Sequence, residues 1–316
     1  MRDAHGDARS RPLNPLTVFV RAILGGWLAL ASAIAVARPT PVNPLALFYN
    51  DSFENFDAYA HPGALIVTGH CNRYDPRFAR ARAAGAEVLA YINAVAVNDN
   101  LPCKAALRAV SLYGPDVSRV PLWPSPTYGA RSDWPRTRMT DIRVGSEWSN
   151  RVVAYVEQLM REDKVDGVFL DALGARPWSK LSQWKTWDRA EQDAWTEGCV
   201  DLVRRIDASR RAINPKFIVV NNSPWDRGDD LGYQGEKYVD GIVLEHSELD
   251  AYHEKQAGHK FGDLGHRRVL VIARSTEDAR RWAEVPGVTH VSDQQKYDHP
   301  GEPPVSFTPL NDRAKN

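Results

Sequence analysis

Two seven-residue segments of this chain follow one pattern. Val165-Asp166-Gly167-Val168-Phe169-Leu170-Asp171 matches Val239-Asp240-Gly241-Ile242-Val243-Leu244-Glu245 position by position. In each, Asp-Gly turns the chain into a strand, four apolar residues cross a sheet, and an acid follows at the carboxyl end. The shared frame predicts Asp171 and Glu245 at one height on one rim. With a single strand between them, at about 4.8 Å per strand, splayed side chains bring the carboxyl groups about 5–10 Å apart. That interval spans both separations at which carboxylate pairs hydrolyse glycosidic bonds. One acid at a strand end is commonly a helix cap or an ion-pair partner, but neither of these has a Lys or Arg within four positions along the chain, Arg176 being near Asp171. A catalytic pair is the expectation. Glu245, with the longer reach, is read as general acid/base, and Asp171 as nucleophile or electrostatic stabiliser, with the reverse assignment left open. Asp171 is expected to stay ionised through hydrogen bonds from Asn221 or Tyr91.

The same rim collects polar residues suited to a sugar. Strand one ends in Tyr49, Asn50 and Asp51, strand two in His70, and strand three in Tyr91 and Asn93. Strand five ends in Asn221 and Asn222, strand seven in Arg274, and Asp293 follows strand eight. Amides, a phenol and a guanidinium fix several hydroxyls at once, although each singly is an ordinary loop hydrogen-bonder. Aromatic rings fill the loops: Trp123, Tyr128 and Trp134 lie among five Pro in residues 103–145, and Trp178, Trp184, Trp187 and Trp225 follow strands four and five. Indole faces stack on pyranose rings, and Trp123 is read as such a platform; the alternative is that the rings pack loops onto the body. No metal or other cofactor is expected. Among nine His, including His246, His253, His259 and His266, none forms His-Glu-x-x-His or His-x-His on strand one, and no Gly-x-Ser-x-Gly is present. His246 adjoins Glu245 but by alternation points the other way.

The elements that must position these residues are short. Branched apolar runs at 45–49, 64–68, 87–92, 167–170, 217–220, 241–244, 268–273 and 287–291 are apolar on both faces, as parallel strands covered by helices are. Helical patterns fall at 146–163, 181–213 and 275–284, the last opening on Ser275. Eight strands with interleaved helices predict an α/β single-domain (β/α)8 TIM barrel over about 45–295, with an irregular tail from Asp298. An open doubly wound sheet is the runner-up, without the Gly-x-Gly-x-x-Gly that usually marks it.

Residues 1–37 read as an export signal. Arg2, Arg9, Arg11 and Arg21 precede the apolar run 22–37, which ends in Ala35-Val36-Ala37. An uncleaved anchor is the alternative. Cleavage leaves residues 38–316 as a secreted or periplasmic chain with no membrane association, read as a monomer. In an oxidising compartment a Cys71–Cys103 disulfide joins two neighbouring loops, and Cys199 is a buried apolar residue. The 316-residue chain balances 40 Lys+Arg against 40 Asp+Glu, so it lacks the basic surface that nucleic acid requires.

Thr140-Asp141-Ile142-Arg143, the amphipathic helix that follows, and the segment ending in Asp171 resemble the barrel glycoside hydrolases of family 114, the endo-α-1,4-polygalactosaminidase family. The resemblance implies a (β/α)8 fold, an extracellular α-linked amino-sugar polymer as substrate, and catalytic acids at the ends of strands four and six, the positions of Asp171 and Glu245. The chain departs from the family after Asp171, where Ala172-Leu173-Gly174 replaces a common further Asn and acid. A non-catalytic carbohydrate-binding barrel and a purely structural barrel are the other readings.

Overall fold

The computed structural model describes residues 42–307, apart from 50–51, 99–102, 104, 133, 178–183, 224, 226–230, 232–233, 248, 250–267 and 294–298. Residues 1–37, expected to be an export signal, therefore lie outside the described residues, as does Trp178. Among the described residues, ten strands occur in chain order: β1 (Asn43–Phe48), β2 (Leu65–Gly69), β3 (Glu87–Asn93), β4 (Ala96–Asn98), β5 (Thr137–Met139), β6 (Gly167–Asp171), β7 (Ile218–Asn222), β8 (Gly241–Glu245), β9 (Arg268–Ile272) and β10 (Val288–Ser292). Eight of them close a barrel in the order β1-β10-β9-β8-β7-β6-β3-β2, every neighbouring pair parallel. This is the (β/α)8 barrel, and all eight predicted strands take part. β4 and β5 form a separate antiparallel pair that the sequence reading missed, since three residues are too few to show a period.

Alternation sorts the strand residues into two shells. Leu45, Leu47, Leu65, Val67, Leu89, Phe169, Ile218, Val220, Val243, Leu270 and Ile272 fill the barrel interior. Their neighbours, such as Ala46, Ile66, Val88, Val168, Leu170 and Val219, pack outward beneath the covering layer. That layer includes α1 (Pro76–Ala83), α2 (Glu147–Glu162), α3 (Arg189–Ile213) and α4 (Thr276–Ala283). Each opens on a side-chain cap that accepts a backbone N–H: Asp75, Ser146, Asp188 and Ser275. Asp188 starts α3 at Arg189, eight residues later than the apolar pattern suggested. Among the described residues no helix is long and apolar enough to cross a membrane.

The repeated Val-Asp-Gly has a structural cause at the barrel floor. Asp166 gives its N–H to the Val88 carbonyl at 2.7 Å and accepts the Val88 N–H on Oδ2 at 2.8 Å. Asp240 does the same with Val219, at the same two distances. Each carboxylate also meets an arginine from the helix that leads into the neighbouring strand, Arg82 of α1 for Asp166 at 2.9 Å and Arg210 of α3 for Asp240. The glycine that follows must lack a Cβ: one on Gly167 would lie 2.3 Å from the Ile218 carbonyl oxygen, and one on Gly241 2.8 Å from that of Arg268. Across the floor, Arg268 of β9 binds Glu87 of β3 on the opposite wall, with Nη2–Oε1 at 2.9 Å. The Asp-Gly pairs thus anchor two strands, and the acids at the far ends inherit fixed positions.

Candidate active site

Backbone register places the mouth residues before any side chain is considered. Asn93, Asp171 and Asn222 are adjacent partners across β3, β6 and β7. Val220 pairs with Gly241, so Asn222 stands level with Val243 and Glu245 lies two residues farther along its strand. The strands of such a barrel tilt by about 36°, and two steps of about 4.8 Å then lift the ladder by about 7 Å, the rise of two residues. Stagger and tilt cancel. Asp171 and Glu245 share a height because the barrel is sheared, not only because their segments match.

Side-chain geometry then couples the two acids through one atom. Asn222 Nδ2 donates to Asp171 Oδ1 at 3.0 Å and to Glu245 Oε2 at 2.7 Å. The two oxygens are therefore at most the sum of these, about 5.7 Å, apart. The other Asp171 oxygen accepts the Tyr91 hydroxyl at 2.6 Å and lies 3.4 Å from the Asn93 amide nitrogen. Tyr91 is in turn stacked on Tyr49, ring centroids 4.1 Å apart, and both rings rest on Phe169. Immediately after each acid the chain turns through the left-handed region at a residue with a side chain, Ala172 (φ 56°) and His246 (φ 48°). Such conformations are held only where surrounding structure enforces them. The echo between the two segments thus runs one residue past the acids.

The electrostatics follow from burial. Withdrawal from water raises the Asp171 carboxyl to about 6, opposed by the Tyr91 hydrogen bond, increased by the charge on Glu245, and opposed again by Asn222. Burial also raises Glu245, and Asn222 opposes it. Burial, followed by the charge of Asp171, pushes the Tyr91 phenol well above its ordinary value, so it remains a proton donor to Asp171. Of the two donors expected to keep Asp171 ionised, Tyr91 supplies its hydrogen bond and Asn221 does not, while burial and the neighbouring Glu245 charge work against ionisation.

The remaining predicted residues divide into those the structure brings to the mouth and those it does not. Tyr49, Tyr91, Asn93 and Asn222 belong with the acids. Asn50 and Asp51 lie outside the described residues. Asn221 faces outward, one step out of phase. Its amide donates to the Leu173 and Ser223 carbonyls and its oxygen accepts from Trp225 Nε1, so the carboxylate donor is Asn222 instead. Alternation along β7 was the signal that separates the two.

His70 is sealed rather than presented to a ligand. Its ring nitrogens meet the Tyr91 carbonyl at 3.1 Å and Ser111 Oγ at 3.2 Å, and burial lowers it to about 4. It lies against the disulfide between Cys71 and Cys103, whose Cα atoms are 5.7 Å apart. These three residues form a cluster near enough to share a metal, but the two sulfurs are bonded to each other. Trp123 is likewise no platform. It is 3% exposed, stacks on Trp187 at 5.6 Å, meets Trp195 edge-on, and reaches Glu191 with Nε1. The ring packs a loop onto α3. Trp134, by contrast, is 44% exposed. Arg274 binds the His246 carbonyl at 2.8 Å, and Asp293 accepts from Thr276 at 2.6 Å; both brace rim loops.

No protein-family model matches the sequence, and no curated protein sequence matches it. Solved structures do share the fold. The glycoside hydrolase domain of PelA from Pseudomonas aeruginosa is 12% identical, with a TM-score of 0.54 over 82% of this chain and 99% of that one. The GH36 α-galactosidase AgaA from Geobacillus stearothermophilus, solved with 1-deoxygalactonojirimycin, is 12% identical with a TM-score of 0.52 over 82% of this chain. This chain spans 39% of that larger enzyme. The fold implied by the family 114 resemblance is the fold found, and it is one that carries glycoside hydrolase activity in these proteins.

Proposed function

We propose that the protein is an exported glycoside hydrolase that cleaves a polysaccharide with Asp171 and Glu245. The observation that carries this reading is the shared hydrogen-bond donor between the two carboxylates, which limits their oxygens to about 5.7 Å. That spacing suits the double-displacement route, whose carboxyl groups stand about 5–5.5 Å apart, better than the wider single-displacement arrangement. Asp171 attacks the anomeric carbon while Glu245 gives its proton to the departing glycosidic oxygen, leaving a glycosyl ester on Asp171. Glu245, now a carboxylate, takes a proton from water as the water oxygen attacks the same carbon and frees Asp171. Phenol and amide donors support Asp171 as the nucleophile. Burial raises both carboxyls, and the longer reach of Glu245 supports it as the acid that protonates the departing oxygen.

The family resemblance makes an α-1,4-linked galactosamine polymer the first substrate to test. The signal pattern in 1–37 supports release of residues 38–316 outside the cytoplasm. The deciding experiment is a screen of amino-sugar and neutral polysaccharides for new reducing ends with the purified protein. Cleavage that Asp171→Asn and Glu245→Gln each reduce at least about a hundredfold in folded protein is the expected result. No cleavage of any polymer, or near-normal turnover in either variant, overturns the reading.

A further inference from the structure

We propose that Asn222 is the positioning residue of the pair: its one amide nitrogen holds Asp171 and Glu245 at a fixed separation and with fixed oxygens facing each other. The inference rests on the glycosidase reading above and gives Asn222 a task different from gripping sugar. An amide nitrogen has two N–H bonds, and here each is directed to a different acid, at 3.0 and 2.7 Å. Ionised carboxylates only accept, so the nitrogen and not the carbonyl oxygen must face them. Asn222 sits on β7, the strand between the acid-bearing β6 and β8, and is the direct register partner of Asp171. Its backbone is fixed by pairing with β6, one residue past the last β8 pair at Asn221, and its side chain spans the gap from the centre. Without the bridge, each carboxyl loses a donor that favours its ionised form, and nothing holds the two facing oxygens at a set separation.

A substitution series graded by donor count tests this. Asn222→Ser keeps one donor, Asn222→Ala keeps none, and Asn222→Asp preserves shape while removing both donors and adding a charge. Turnover is expected to fall about tenfold in the Ser variant and about a hundredfold in the Ala and Asp variants, with KM within about threefold of the parent. Carboxyl titrations followed by carbon-13 NMR should show the pair's midpoints about half a unit or more higher in the Ala variant, a change that lost packing alone does not produce. Parent-like turnover in the isosteric Asp variant, or unmoved titration in the Ala variant, overturns the proposal. If the parent protein cleaves no polysaccharide, the glycosidase reading falls, and the titrations still decide the role of Asn222 in the pair.

Discussion

The two ends of β6 and β8 carry the same residue types and treat them oppositely. At the floor, Asp166 and Asp240 are each bound to an arginine and close the ladder through a backbone N–H. At the mouth, Asp171 is held by a phenol and side-chain amides, and Asn222 links it to Glu245. A guanidinium fully compensates a carboxylate and fixes it as a structural anion. Neutral donors orient a carboxylate without cancelling its charge, so it stays basic enough to react. On the proposed reading, what separates the anchoring acids from the pair at the mouth is therefore the partner and not the acid.

That contrast can be broken by experiment. The largest expected effect is on turnover: Asp171→Asn and Glu245→Gln lower it at least about a hundredfold, whereas Asp166→Asn and Asp240→Asn change it by less than about threefold while the protein remains folded. The reverse holds for stability. Either substitution takes one of two carboxylate partners from an arginine, since Arg82 keeps Asp163 and Arg210 keeps Asp207, and should lower the unfolding free energy by about 1–2 kcal/mol, measured by denaturant titration.

Tyr91→Phe comes next. Losing the hydroxyl removes a hydrogen bond that favours ionised Asp171, so the acidic limb of kcat/KM should move to higher pH and turnover fall about tenfold. A limb that stays in place removes Tyr91 from the control of Asp171.

The smallest effect has the most specific sign. A carboxyl raised to about 6 in the folded protein, from an ordinary 3.8, costs no stability below the lower value. The penalty grows as pH rises between the two and persists above. Asp171→Asn removes it, so the variant's melting temperature should exceed the parent's by about 2–4 °C at pH 7 and match it near pH 3. A variant that melts lower at pH 7 contradicts the buried-charge description of the mouth.

Much of this arrangement was legible in the sequence where a local period reports it. The eight barrel strands follow from short runs apolar on both faces, and the echoed Asp-Gly segments mark where two of them begin. The same period separates Asn222 from Asn221, because β7 alternates inward and outward with no bulge. The burial of His70 and Trp123 was not legible. His70 is enclosed by Ser111 and Leu112, some forty residues along the chain, and Trp123 by Trp187, just before α3, and by Trp195 on it. No local spacing encodes which loop closes over which ring. β4 and β5 were missed for a related reason: three-residue strands exist because a partner strand supplies their hydrogen bonds.

The sequence by itself determined that two acids end two matched strands of a (β/α)8 barrel, because turn chemistry and side-chain alternation are properties of consecutive residues. Tertiary structure alone decided that the acids meet across a shared amide and that burial raises both of their pKa values. Their height depends on stagger accumulated through an intervening strand, and their pKa values on water excluded by residues far away in the chain. Both are sums over neighbours in space, which order along the chain does not list.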